Sequence, residues 1–196
     1  MKHGPVSKSA AAQPDLFGRA LLPGLEATEA FITEAEEAAL IAHIAHAGLE
    51  AFKFQQWEGK RLTRSFGWSY DFQTGVFARA APIPDWLLPM AARAERFAGL
   101  PPAALAQALL ISYGPGAGIG WHKDRPVFEH VVGISLGAEA TMRFRRRRHD
   151  KFDRFALPLA PRSIYHLAGE ARHDWEHSIA PIEEARWSIT FRSLAR

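Results

Sequence analysis

The chain has 196 residues, 47% hydrophobic and 23% charged, with a net charge of +3 and no cysteine. That length suits one domain with a core of its own, and the composition excludes collagen-like, low-complexity and wholly disordered classes. Disulfides, thiolate-held metals and thiol nucleophiles are excluded too, no apolar run approaches the roughly 18 residues of a membrane span, and any bound metal must be held by His, Asp or Glu.

Residues 1–15 are rich in Pro, Gly, Ala and Ser and carry Lys2 and Lys8 without a long apolar stretch behind them. A mobile tail is expected there rather than a signal peptide, in a cytoplasmic protein for which a monomer is favoured while the sequence leaves the oligomeric state unknown. Leu22-Pro23-Gly24-Leu25 reads as a turn or short strand. Thr33 stands three residues before Glu36, a capping-box spacing. Ala38, Leu40, Ile41 and Ile44 follow at helical intervals, so a helix is expected over 34–47, ending near Gly48.

Residues 50–80 read as strands and loops. Seven of the 21 residues in 52–72 are aromatic, namely Phe52, Phe54, Trp57, Phe66, Trp68, Tyr70 and Phe72. The last four alternate, which predicts one strand with all four rings on a single face. Such a face usually packs on a core, with Trp68 and Tyr70 the candidates to stand out from it. Lys60, Arg61 and Arg64 flank the segment and suit either phosphates or solvent. A second helix is expected over 85–98, delayed or interrupted by Pro89, and Pro101-Pro102 opens a helical turn through Leu105.

From Leu109 the texture changes. Short β-branched or aromatic runs such as 130–136 and 186–191, separated by Gly, Pro and charged turns, predict a β-sandwich or barrel. The fold class is therefore mainly β (α+β), with two N-terminal helices buttressing a C-terminal β-core. The positive charge is local. Residues 143–154 hold Arg143, Arg145, Arg146, Arg147, Arg148, Lys151 and Arg154 against Asp150 and Asp153, a net of +5, which leaves −2 for the rest of the chain. A patch of this kind suits a polyanion, or simply a solvated hairpin.

Two places carry chemistry. In Tyr113-Gly-Pro-Gly-Ala-Gly-Ile-Gly-Trp-His122-Lys-Asp124, a Gly-rich turn runs into a strand on which residues i and i+2 share a face. His122 and Asp124 then aim an imidazole and a carboxylate at one point. With a distant His they would form a 2-His-1-carboxylate triad, a donor set that leaves positions open on Fe(II). His130, His173 and His177 all compete for the third place on the residues alone. In Arg186-Trp-Ser-Ile-Thr-Phe-Arg192, alternation puts Arg186, Ser188, Thr190 and Arg192 on one face and Trp187, Ile189 and Phe191 on the other. Two arginines on one face suit the two ends of a small dicarboxylate.

Together, His122-x-Asp124, Arg172…Trp175-x-His177 and Arg186-x-Ser-x-Thr-Phe-Arg192 resemble the AlkB family of Fe(II)/2-oxoglutarate dioxygenases. The similarity runs from about Leu109 to Arg192, and more weakly upstream through Arg64-Ser-Phe-Gly-Trp-Ser-Tyr70. The resemblance implies a single domain over 16–196: helices and a substrate lid at 16–108, and a double-stranded β-helix (jelly-roll) core at 109–196. It implies His122, Asp124 and His177 as iron ligands. Arg186 and Arg192 would hold the two carboxylates of 2-oxoglutarate, with Tyr113 hydrogen-bonding it and Ser188 beside it.

The reaction implied couples decarboxylation of 2-oxoglutarate by O2 to hydroxylation of a C–H bond, with formaldehyde lost from a hydroxylated N-methyl group. The substrate implied is an alkylated or modified nucleobase in DNA or RNA, for repair or modification. The lid residues Trp68 and Tyr70 would face it, and Arg64, Arg145, Arg146, Arg147 and Arg148 would hold phosphates. The alternatives are the same chemistry on a protein side chain or small molecule, and a catalytically silent jelly-roll that binds nucleic acid. The chain departs from the family pattern at Ile111 and Ser188, where Asn is usual, and at Arg125-Pro126-Val127, where base-repairing members carry acidic residues. Phe128-Glu129 and Gly133-Ile-Ser-Leu look more like the branch that includes RNA-modifying members.

Overall fold

The computed structural model describes residues 22–54, 57–71 and 74–195, with the backbone alone for 52–54 and 57–59. The tail expected at 1–15, the side chains of Phe52, Phe54 and Trp57, and all of Phe72 lie outside the described residues. A turn closed by Leu25 N–H on the Leu22 carbonyl leads into β1 (Leu25–Thr28). Then come α1 (Glu34–His46), β2 (Glu50–Phe54), β3 (Trp57–Phe66), the small hairpin β4 (Trp68–Tyr70) and β5 (Phe77–Arg79), and α2 (Leu88–Phe97). The remaining strands are β6 (Leu105–Tyr113), β7 (Ile119–His122), β8 (Phe128–Gly137), β9 (Ala140–Arg148), β10 (Lys151–Leu159), β11 (Ile164–Leu167), β12 (Glu176–Ile179) and β13 (Arg186–Leu194). A one-turn helix, α3 (Gly169–His173), precedes β12.

Apart from the two-stranded β4-β5 hairpin, the described strands form two antiparallel sheets, a seven-stranded one in the order β1-β11-β8-β13-β6-β3-β2 and a four-stranded one in the order β10-β9-β12-β7. Val131, Tyr165 and Leu167 of the larger sheet meet Met142, Phe144, Leu157, Leu159 and Ile179 of the smaller in one buried cluster. This is the double-stranded β-helix expected. The outer face of the larger sheet is covered by the helices: Leu40 and Ile44 of α1 and Met90, Ala91 and Ala94 of α2 pack on Ala108, Leu110, Val132, Ile134, Ile189 and Phe191. Among the described residues no helix is long and apolar enough to cross a membrane.

The helix at 34–46 forms as expected. Thr33 Oγ1 accepts from Glu36 N–H at 3.2 Å, and Glu36 Oε2 accepts from Thr33 N–H at 2.8 Å. Glu37 then reaches across to the β-core, accepting from Gly137 N–H at 2.8 Å and from Arg162 Nη1 at 2.9 Å.

Of the two roles expected of Pro89, delay is the one seen: Asp85–Leu87 form a 3-10 turn, and α2 begins only at Leu88 with Pro89 in its first turn, where its missing N–H has no intrahelical partner to lose. Two local expectations are corrected. Leu105 opens β6 instead of closing a helical turn. The alternating run from Phe66 to Phe72 is not one strand. Gly67, at φ +75°, turns the chain, and its amide bonds Ala81 O. Phe66 stays in the core behind the larger sheet, while Trp68 and Tyr70 leave on β4. A side chain at Gly67 would overlap the Ala106 carbonyl, which is why glycine stands there.

On the helix-facing side of the larger sheet, His130 Nδ1 and His166 Nε2 share a hydrogen bond of 2.9 Å. His166 Nδ1 is buried without a partner. Burial, reinforced by His130, pushes the His166 imidazole down to about 4. The unfolded chain therefore takes up a proton near pH 6.5 that the fold accepts only near pH 4, so stability falls as pH drops through that window. The size is at most about 3 kcal/mol. The melting temperature is expected to fall between pH 7 and pH 4.5, and His166→Gln, which keeps a hydrogen-bonding group without the titration, should flatten part of that slope in scanning fluorimetry.

Candidate functional site: a His–Asp–His centre between the sheets

On the inner face of the larger sheet, side chains from neighbouring strands fall into rows set by register. Arg61, Tyr113 and Arg186 form one row. Thr63, Ile111, Ser188 and Ser135 form the next. Leu109, Thr190, Gly133 and Tyr165 follow, then Gln107, Arg192 and Val131. The expected alternation of β13 therefore holds from Arg186 to Arg192. Past Arg192 the register shifts against both neighbouring strands.

The smaller sheet faces these rows with β7 and β12. His122 and His177 are directly opposite partners in that pairing, with ring centroids 4.3 Å apart. β7 ends at His122, so Asp124 sits in the following loop rather than on the strand. That loop is pinned by Arg172, whose buried guanidinium donates to the carbonyls of Arg125 at 2.7 Å and Phe128 at 2.6 Å. Lys123 Nζ adds a bond to His173 O at 2.8 Å. The result brings one ligand atom each of His122, Asp124 and His177 within 4.8 Å of one another.

Each of the three is prepared to bind a cation. Gly120 O takes the Nδ1 proton of His122 at 2.9 Å, which leaves Nε2 as the lone-pair nitrogen. Arg192, expected to hold one carboxylate of 2-oxoglutarate, instead directs Nε and Nη2 at Asp124 Oδ1, both at 2.7 Å, and Nη1 at Gln107 Oε1 at 3.0 Å, so its nitrogens are taken by protein oxygens. Asp124 Oδ2 then faces His177 Nε2 at 3.6 Å. Burial alone would raise the Asp124 carboxyl, but Arg192, His177 and His122 hold it well below the usual carboxylate range. Burial pushes His177 down to about 3, helped by His122 and opposed by Asp124, and it also lowers His122. All three are thus in the ligating form at neutral pH. Two neutral imidazoles and one carboxylate brought this close together fit an Fe(II) that keeps open positions.

Arg186 is 1% exposed, and Nη2 donates to Ser135 Oγ at 3.1 Å. Its Nε and Nη1 are buried without partners. No carboxylate pairs with it among the described residues, and its guanidinium lies 5.0 Å from the centre of the Tyr113 ring. A guanidinium kept this way calls for an anionic ligand, because a buried unpaired charge is costly. Tyr165 stands on the same inner face, opposite Gly133. Burial pushes its phenol up to about 12, partly offset by Arg186, so it stays protonated as a donor.

Sequence reading missed Tyr165, Ser135, Gln107 and the inward placement of Arg61. Gly133, the one residue without a side chain in a β-branched run, was the available signal for Tyr165. A Cβ at Gly133 would overlap the ring of Tyr165, its direct cross-strand partner. Gly133→Ala is therefore expected to cost about 1–3 kcal/mol by overpacking, measured as a lower melting temperature. The double variant Gly133→Ala/Tyr165→Leu should recover most of it.

The other expected site residues scatter. Arg64 lies on the opposite face of β3 from Arg61 and donates to Gly48 O at 3.1 Å, so it caps the chain after α1 and stays away from the centre. His173 is exposed and pairs with Glu129 at 3.0 Å. Trp68 stacks on Phe77 at 4.8 Å, with Arg79 over it at 5.0 Å. Phe77 meets Phe128 edge-on at 5.7 Å, and Phe128 lies 5.3 Å from Arg192. Arg125 covers Tyr70 at 4.3 Å. The β4–β5 hairpin thus reaches Asp124 through Phe128 and Arg192. The arginines of 145–148 do not share a face. Arg145 and Arg147 point outward from the smaller sheet, whereas Arg146 binds Glu170 at 2.7 Å and Asp153 at 3.2 Å, and Arg148 lies 3.8 Å from Asp153. Ile111 and Ser188, where Asn was expected, are direct cross-strand partners.

Comparisons with known proteins agree with this geometry. The family model described as the 2OG-Fe(II) oxygenase superfamily matches residues 21–192. An alkylated DNA repair protein ALKBH8 homolog of Arabidopsis thaliana is 28% identical over 203 aligned positions, covering 89% of this chain and 56% of that one. An uncharacterized protein of Acanthamoeba polyphaga mimivirus is 30% identical over 103 residues, covering 46% of this chain and 49% of its own. The chain thus spans about half the length of these curated relatives. Among solved structures, that of OsALKBH1 superposes with a TM-score of 0.71 at 17% identity, covering 89% of this chain and 99% of the other. A Pseudomonas putida prolyl-4-hydroxylase gives 0.58 at 15% identity, with 88% and 93% covered.

Proposed function

The chain belongs to the 2OG-Fe(II) oxygenase superfamily, and from that premise we propose that it oxidatively demethylates or hydroxylates an alkylated or modified base in DNA or RNA. The observation that carries this reading is the wall running from Asp124 through Arg192, Phe128 and Phe77 to Trp68, ending under Arg79. Ring faces and guanidiniums of that kind suit a flat heteroaromatic group taken out of its strand. Names of relatives add support, since two of the compared proteins carry ALKBH designations.

The superfamily's cofactor is Fe(II), with 2-oxoglutarate and O2 as cosubstrates, and together these supply the oxidising power when bound. His122, Asp124 and His177 would hold the metal. Arg192 fixes the Asp124 carboxylate through Oδ1 and so leaves Oδ2 for the metal. Arg186, with Ser135 and Tyr113 beside it, would take a carboxylate of 2-oxoglutarate, and the protonated Tyr165 hydroxyl would be available as a hydrogen-bond donor. Ser188 lines the row between the two arginines. The β4–β5 hairpin, which reaches Asp124 through Phe128 and Arg192, would help to shield the bound group from water. For an N-methyl substrate, 2-oxoglutarate, O2 and the methylated base give succinate, CO2, formaldehyde and the demethylated base.

The test is succinate formation by iron-loaded protein with and without a mixture of methylated oligonucleotides. Stimulated turnover with formaldehyde release is the expected result. Turnover that no oligonucleotide stimulates would overturn the nucleic-acid substrate in favour of a protein side chain or small molecule. Failure to bind iron would leave a silent binding module.

A further inference from the structure

We propose that the outer face of the four-stranded sheet, away from the metal, is a docking surface for a single nucleic-acid strand. This rests on the nucleic-acid reading above and adds a second contact area to it. The five arginines between 143 and 148 look continuous in sequence, but strand alternation divides them. Arg143, Arg145 and Arg147 point outward on β9, and Arg154 of β10 lies directly opposite Arg145. Glu176 of β12 binds Arg145 at 2.6 Å and is the carboxylate set among them in the register. On these strands four guanidiniums and one carboxylate give a local net of +3, with Glu139, Glu183 and Glu184 grouped around Arg143 at one end. Arg147 and Arg154 have no carboxylate partner among the described residues.

Aromatic rings are set between these charges. Trp121 of β7 lies 5.3 Å from the Arg143 guanidinium and 4.4 Å from that of Arg145. Phe152 of β10, 38% exposed, lies 4.9 Å from Arg145 and 5.8 Å from Arg154. Outward residues on one strand are spaced roughly 7 Å apart, comparable to successive phosphates of an extended strand. Ring faces between cations are the pattern that tracks a backbone while stacking unpaired bases. An acidic peptide would use the charges but not the rings.

The face also leads to the centre. A groove of about 430 Å³ is lined by Lys123, Arg145, Arg147, Phe152 and Glu176, together with Arg146 and Asp174. Lys123 stands between the ligands His122 and Asp124, and β7 is the edge strand of this sheet. A strand lying across β10, β9 and β12 therefore passes the β7 edge beside the lid. Contacts to phosphates and ring faces do not read the 2′-hydroxyl, so DNA and RNA strands of one sequence should bind alike.

The experiment is fluorescence anisotropy of end-labelled, unmethylated single-stranded DNA and RNA of mixed sequence across a salt series. The double variant Arg147→Ser/Arg154→Ser is expected to bind several-fold more weakly, with a slope of log K against log salt shallower by about 1.4, for two phosphate contacts. Phe152→Ser should weaken binding about fivefold or more with the slope unchanged. Melting temperature and uncoupled 2-oxoglutarate decarboxylation should stay at wild-type values in both. Wild-type affinity and slope in the double variant would overturn the proposal, as would displacement of the strand by polyglutamate as effective as by unlabelled strand. Strand binding that depends on these residues, without stimulated turnover, would retire the substrate reading and leave the surface standing. Stimulated turnover that the variants do not alter would do the reverse.

Discussion

Arg186→Met is expected to raise the melting temperature of the cosubstrate-free protein while removing its stabilisation by 2-oxoglutarate. The guanidinium is 1% exposed, donates to Ser135 Oγ, and leaves Nε and Nη1 buried without partners. Replacing an uncompensated buried charge by a side chain of similar length and no charge relieves a desolvation penalty. The same charge is what a ligand carboxylate would meet. Wild-type protein should therefore gain about 2.7 kcal/mol at a 2-oxoglutarate concentration 100 times Kd. Truncating one side of a buried charge pair costs about 2–4 kcal/mol, or roughly 30- to 1000-fold in Kd. Differential scanning fluorimetry with and without 2-oxoglutarate reads both effects. A lower melting temperature together with intact stabilisation by 2-oxoglutarate would make Arg186 a structural residue.

His177→Ala should abolish iron-dependent turnover and weaken Fe(II) binding by more than the 10- to 100-fold that losing a mere supporting group costs. The fold should survive, because His177 sits at the edge of a packed cluster, 6.0 Å ring-to-ring from Phe144, and the core holds together without it. His173→Ala is the control. That side chain is exposed and bonded to Glu129, so turnover should remain near wild type. A dead His173 variant beside an active His177 variant would reassign the third ligand.

What could be read from sequence was what repeats at short range. The inward phase of Arg186, Ser188, Thr190 and Arg192 follows from a period of two, and the Thr33–Glu36 box announces its helix three residues ahead. Where a single glycine resets the chain, that logic fails. At Gly67 the backbone leaves the strand, so Phe66 and Trp68 end on different structures although they alternate in sequence. The run of 145–148 failed in the opposite way, since contiguous charges were treated as one patch while the pleat sent neighbours to opposite sides. The pairing of Arg192 with Asp124 spans 68 residues and could not be read locally. Tyr165 was invisible for the same reason, since its meaning depends on Gly133 across a strand pair. The substitutions at Ile111 and Ser188 looked like two separate departures, and their register makes them one adjoining site.

The position of β13 has a consequence for the order in which the protein can be made. It is the last strand in the chain, yet it lies fourth of seven in the larger sheet, between β8 and β6, and carries both arginines of the cavity. As a nascent chain leaves the ribosome, β6, β3 and β2 can assemble as one fragment and β8, β11 and β1 as another. Each then presents an unpaired inner edge to its surroundings. Residues 186–194 alone join the two, so closure of the sheet waits until that strand has been made. Native pairing is mostly long-range in sequence, which slows folding and prolongs exposure of those edges. The strand that joins the two halves of the sheet is thus also the one that sets Arg186 and Arg192 on its inner face.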